Sequence, residues 1–195
     1  MTKNRTAFAV DMAVKAALVG LLAFSVAVPD APRFEGRAMT GRALAYSISV
    51  LTVPVAWWIV QRRRDHPVAY PYTIDILVVA PFLIDAFGNA LDLYDSVRWW
   101  DDASHFVNWV LLVAAFGRFL VRLPIGRLEV ASLAIGFGAV TAILWELAEY
   151  VASVHTGAEE KAMAYGGTLG DLVLALGGSC AAALLTVTLL WPRAS

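Results

Sequence analysis

Residues Trp100–Val121 read WDDASHFVNWVLLVAAFGRFLV. Asp101, Asp102 and His105 stand at the mouth of a run, 107–121, in which Arg118 is the single charged residue. A bilayer core about 30 Å thick takes about 20 mainly apolar residues per helix, and this stretch has that length and character. Outward from it, five more segments approach the same requirement: 7–28, 41–61, 72–93, 127–151 and 169–191, the quoted one occupying 102–121. The connections are short and leave no soluble domain over. The expected fold class is therefore all-α, a polytopic bundle of six transmembrane helices forming a single integral membrane domain over 1–195. Composition agrees. The chain is 59% hydrophobic and 16% charged, with a positive mean hydropathy, which no ordinary soluble domain of this size shows.

Several functions are set aside by what is missing. The net charge is −1 with no basic stripe, so nucleic acid is not an expected partner. There is no P-loop and no dinucleotide fingerprint, so no nucleotide is expected either. "GFG" at 136–138 falls inside a membrane helix, where small residues permit close packing. The one cysteine, Cys180, lies in the last apolar run and reads as a small buried residue. "NRT" at 4–6 matches a glycosylation sequon but falls on the expected cytoplasmic side. The N-terminal segment has the basic start and apolar middle of a signal peptide. Asp11 and Lys15 interrupt that pattern, and as an i,i+4 pair they offset one another, so a retained first helix is the expectation.

Orientation follows from the short loops, because Lys and Arg collect on the cytoplasmic side. Lys3, Arg5, Arg62, Arg63, Arg64, Arg118, Arg122, Arg127 and Arg193 fall on one side, against Arg33, Arg37, Arg42, Arg98 and Lys161 on the other. Both termini are thereby expected in the cytoplasm of a bacterium, with the chain a multi-pass protein of its plasma (inner) membrane. Trp57, Trp58 and Trp191 fall toward the inner interface and Trp99, Trp100 and Trp145 toward the outer one, where amphipathic rings settle.

This topology gathers acids at the outer end. Asp92, Asp95, Asp101 and Asp102 lie in or beside the loop before helix four. His105 is one turn into that helix. Helix five ends in "WELAEYVASVH" with Glu146, Glu149 and His155, and helix six begins "YGGTLGD" with Asp171. Asp101 and Asp102 precede His105 by four and three residues, so an aspartate shares a helix face with the imidazole. Glu146 and Glu149 are likewise three apart. Asp85, Asn89 and Asp92 form a polar stripe on helix three, Asp85 lying about 10 Å below the outer boundary. A carboxylate there costs several kcal/mol unless paired, protonated or facing water. Pro81 should kink that helix.

Structural explanations compete. Asp101 and Asp102 suit a helix N-terminus through capping and the helix dipole. Thr168 and Asp171 have the spacing of a capping box. His105 reads equally as a core histidine bonded to a carbonyl. Glu146 and Glu149 resist such accounts, since the C-terminal end of a helix disfavours carboxylates. A shared cation would offset them, and one imidazole among carboxylates favours Zn, Mn or Fe over Ca or Mg. The expected ligands are His105, Glu149, Asp171 and Asp101, with Glu146 or Asp102 as catalytic proton acceptor. Asp85, Asn89 and Asp92 are the expected outer shell or proton relay. Ser104 adjoins His105 in sequence but points elsewhere on a helix, so no Ser–His nucleophile is expected.

The landmarks "WDDASHFVNWVLL", "ILWELAEY" and "YGGTLGDLVLALGGSCAA" resemble, in order, those of the YjdF-like family of bacterial inner-membrane proteins, over roughly 72–190. The resemblance carries over Asp102 and His105, Glu146 and Glu149, and Gly167, Thr168, Gly170 and Asp171. It implies that these acid and histidine positions belong together, and it implies no particular reaction. Family members often carry a further aspartate after "GD", where this chain reads "LVLALGG". A site using that acid would be incomplete here.

Three functions follow. One is a metal-dependent enzyme acting on a lipid headgroup or other outer-surface substrate, with membrane lipids as partners. Another is an ion- or proton-coupled transporter, for which the inner half offers only Asp11, Lys15, Ser47, Ser49 and Asp75. The last is a scaffold whose charges are purely structural.

Overall fold

A computed structural model describes residues 2–29, 31, 34, 37, 39–156 and 165–191. Its elements are α1 (Thr2–Ala27), α2 (Met39–Arg62), α3 (Tyr72–Ala90), α4 (Leu93–Ser96), α5 (Trp100–Leu120), α6 (Arg127–Thr156) and α7 (Tyr165–Leu189). The described residues contain no strand, and six of the helices are long and apolar enough to cross a membrane. Their outer surfaces are apolar. Leu44, Leu128, Val173 and Leu189 are each at least two-thirds exposed, a pattern that suits lipid and that water would penalise. Arg33, Lys161 and Arg193 lie outside the described residues, as does the side chain of His155.

Two groups of three helices make the bundle. In one, α3 packs on α1 and α2; in the other, α7 packs on α5 and α6; the α3–α5 contact joins them. The second group is held by a seam of small residues on α7. Ala175, Ser179, Ala182, Ala183 and Thr186 are fully or almost fully buried and recur at helical spacing. The hydroxyls of Ser179 and Thr186 donate to the carbonyls of Ala175 and Ala182, so the seam leaves neither hydroxyl unsatisfied in lipid. Backbone approach is close enough that a Cβ on Gly178 would collide with the Phe106 carbonyl, and one on Gly138 with Ser179 and Val113. Gly138 thus meets the packing role expected of "GFG", whereas Gly136 faces open space. Cys180 is exposed on α7 rather than buried; the adjacent seam residue Ser179 takes the inward position.

The helix ends differ from expectation in informative ways. α3 stops at Ala90 and Asp92 takes the left-handed conformation with φ 57°, so Asp92 leaves the expected stripe. The short α4 then follows. Ahead of α5, Trp99 is the N-cap residue and no side chain caps the helix. Asp101 and Asp102 lie inside the first turn, where the dipole rather than capping favours them. α7 starts at Tyr165, which puts Thr168 and Asp171 inside a continuous helix and removes the capping-box reading. The Trp145 ring turns inward, stacking on Tyr46 and lying edge-on to Phe82 between the two groups.

Antiparallel succession places the starts of α2, α5 and α7 and the ends of α3 and α6 at one end of the bundle, which we call the acidic end. The opposite, terminal end holds Arg62, packed over the Trp58 ring, and Arg127, packed over the Trp191 ring.

Candidate functional site

The acidic end contains two charged clusters joined by one arginine. The first belongs to α2, α3 and α4. Asp85 is buried near the end of α3, where an uncompensated charge would be costly. Arg42 Nη1 donates to its Oδ2 at 2.5 Å, the Tyr46 hydroxyl donates to the same oxygen, and the Tyr94 hydroxyl donates to Oδ1 at 3.0 Å. Asn89 reaches back to the Asp85 carbonyl and accepts from Arg37 at 3.2 Å. Arg37 also pairs with Asp92 at 2.9 Å and Asp95 at 2.6 Å. Burial, reinforced by the Asp85 charge, pushes the Tyr94 phenol far above its ordinary range and holds it as a donor. Gly88 provides room for this tyrosine, since a Cβ there would strike the side chains of Tyr94 and Trp100.

The second cluster belongs to α5, α6 and α7. His105 Nε2 stands 3.6 Å from Asp101 Oδ1 and 3.7 Å from Asp171 Oδ1. Two overlapping sets of metal-capable donors share this histidine: Asp101, His105 and Asp171, and His105, Glu146 and Glu149. Within each set the donor atoms lie within 4.8 Å of one another. An ion held at about 2.0–2.2 Å spaces its ligands roughly 3–4.4 Å apart, so small side-chain rotations close either set. His105, Glu146, Glu149 and Asp171 are partly buried and Asp101 is exposed, so the donors run from the bundle interior to its surface.

Arg42 links the clusters. Its Nη2 lies 3.9 Å from Glu149 Oε1 while Nη1 serves Asp85. Of the expected site residues, Asp101, His105, Glu146, Glu149 and Asp171 therefore come together. Asp102 is exposed and joins neither donor set; one residue beyond Asp101, it is turned about 100° around α5. Asp85, Asn89 and Asp92 belong to the arginine cluster. Ser104 donates to the Asp101 carbonyl, so it is no partner for His105. The sequence reading missed Tyr46 and Tyr94, and took Arg42 only as one of several loop cations. A depth count gives the missing signal: Arg42 is three residues inside α2 and Asp85 five residues before the end of antiparallel α3, which sets the two at similar depth.

At the terminal end a third cluster lies between α1 and α3. Asp11 and Asp75 are 1% and 0% exposed. Lys15 donates to Asp75 Oδ2, as does the Tyr70 hydroxyl, and Lys15 lies 3.4 Å from Asp11 Oδ2. Lys15 thus pairs across helices as well as along its own.

Comparison with curated proteins and with solved structures gives no significant match. A family model does match, over residues 12–191, nearly the whole chain. Six spans, an all-helical bundle and that match agree: the chain belongs to the predicted membrane protein family DUF2238.

Proposed function

We propose that this is a bacterial plasma-membrane protein whose acidic end faces away from the cytoplasm and binds a divalent transition ion at His105. The arginine-rich connections at the terminal end support that orientation. The landmarks shared with the YjdF-like family support a common use of the acid and histidine positions. One observation carries the metal reading. Among the described residues, no lysine or arginine nitrogen lies within ion-pair distance of Asp101, Glu146 or Asp171, although arginines serve Asp85, Asp92 and Asp95. Among the described residues, carboxylates from three helices therefore converge on one imidazole, with Arg42 reaching only Glu149.

The donor set fits Zn, Mn or Fe better than Ca or Mg, which prefer all-oxygen shells. Asp101, Asp171 and Glu149 with His105 would hold the ion, which when bound supplies Lewis acidity and an activated water. Glu146, partly buried beside His105, accepts the proton. Arg42 fixes Glu149 from the neighbouring group of helices. The exposure of Asp101 at the bundle end supports a lipid headgroup or another substrate at the membrane surface. Elemental analysis of purified wild type, His105→Ala and Glu149→Gln tests this. Near-stoichiometric metal in wild type, with loss in both variants, is expected; equal, near-zero metal in all three overturns it.

Coupled transport is the second reading, favoured by the buried cluster of Asp11, Lys15 and Asp75. Leu18, Val79 and Phe82 belong to one apolar cluster, and Val79 and Phe82 lie between Asp75 and Asp85 on α3, so this reading calls for alternation of the helices.

A further inference from the structure

The terminal-end cluster is separate from the site just described. On α3, Asp75 and Asp85 are ten residues apart, about 15 Å along the axis, with apolar packing between them. Its composition is unbalanced. Two carboxylates meet one ammonium and one neutral phenol in a volume where Asp11 is 1% and Asp75 0% exposed. Lys15 offsets one negative charge. Among the described residues, no lysine, arginine or histidine other than Lys15 lies within ion-pair distance of either carboxylate. α1 supplies Asp11 and Lys15, α3 supplies Asp75, and the segment leading into α3 supplies Tyr70, with Tyr72 behind it. The titratable side chains of α2 are engaged elsewhere: Arg42 and Tyr46 with Asp85, Arg62 over Trp58.

Hydrogen bonding shows the same deficit. Asp75 Oδ2 accepts from both Lys15 and Tyr70, whereas Asp75 Oδ1 and both oxygens of Asp11 are buried and accept no hydrogen bond. A buried acceptor left unmade is costly, and an unbalanced buried carboxylate more so. A second metal cation would have to sit beside the ammonium that already occupies the centre, and like charge opposes it. A proton removes the surplus charge without needing a cavity and turns one acceptor into a donor.

We propose that this cluster is a binding site for one exchangeable proton, held at the Asp11 carboxyl beside Asp75. Its access is built in. Phe8, Tyr72, Tyr70 and Trp57 form a chain of ring contacts at centroid distances of 4.8–5.9 Å on the terminal side. In that layer the Tyr70 hydroxyl reaches Asp75, giving the proton a polar step through an aromatic seal. Burial and the bond to Asp75 raise the Tyr70 phenol above its ordinary range, so it stays protonated and relays without ionising.

Infrared difference spectroscopy on the full chain in lipid vesicles tests this through the carbonyl stretch of a protonated carboxyl. Charge balance predicts one such carboxyl from the cluster in wild type. It predicts none from the cluster in Asp11→Asn or in Asp75→Asn, since each leaves one carboxylate matched to Lys15. Lys15→Met should raise the signal to two carboxyls. Losses in both aspartate variants with a gain in Lys15→Met support the site, and either aspartate variant serves if the other fails to fold. An unchanged band in Asp11→Asn and Asp75→Asn overturns it, as does a band abolished by sodium ions at constant pH. Metal content at the acidic end should be untouched by these variants, so the two proposals stand or fall separately.

Discussion

Arg42 donates to Asp85 across the α2–α3 interface at 2.5 Å, and neither group is more than about a quarter exposed. One guanidinium thereby holds a carboxylate that the bilayer would otherwise reject, and its second nitrogen reaches Glu149 of the other helix group. Removing one partner strands the other. Arg42→Leu should cost about 3–5 kcal/mol, read as a lowered unfolding temperature in detergent. Arg42→Leu combined with Asp85→Leu should recover much of the loss, because no buried charge then remains unpaired. Equal destabilisation by the single and double variants would show that packing, not charge, sets the effect.

Tyr94 gives a pH signature whose sign follows from its raised phenol. Between the ordinary phenol value of about 10 and the raised one, the unfolded chain loses the proton while the folded chain keeps it. Folded protein therefore binds more protons, and stability falls as pH rises above about 10. The contribution is fully present below that value. Thermal melts across this range should fall more steeply for wild type than for Tyr94→Phe. Parallel curves would contradict the assignment.

The close α5–α7 approach predicts a sharp steric limit. Gly178→Ala adds one methyl against the Phe106 carbonyl and should cost about 1–3 kcal/mol. Gly136→Ala on α6, facing open space, should be neutral or slightly stabilising through helix propensity. Similar melting temperatures for the two variants would show that the helices are not in the described contact.

Metal binding should also appear as stability. A ligand at about one hundred times its Kd adds about 2.7 kcal/mol to the folded state. Added Zn or Mn should therefore raise the melting temperature of wild type, and His105→Ala should abolish the rise. An undiminished rise in that variant would place any bound ion elsewhere.

The parts of this molecule legible in its sequence are those governed by short-range periodicity. Six apolar runs gave the spans, and spacings of three and four residues put Asp101 beside His105 and Glu146 beside Glu149. Partners on different helices were not legible that way. Asp75 takes the shorter bond of Lys15, sixty residues away, and the neutralisation of Asp85 by Arg42, Tyr46 and Tyr94 draws on three elements. Local geometry at helix ends was equally hidden. A four-residue helix has too little pattern to read, and Asp92 abandons the stripe because the backbone reverses hand there. The packing of Trp145 on Tyr46 and Phe82 was hidden as well, because it depends on how the two helix groups meet.

X-ray absorption at the metal edge of the purified protein tests the His105 centre most directly. One imidazole nitrogen with carboxylate oxygens at about 2.0–2.2 Å, absent from His105→Ala, is the predicted result. A wild-type spectrum with no edge above that of the variant would contradict it.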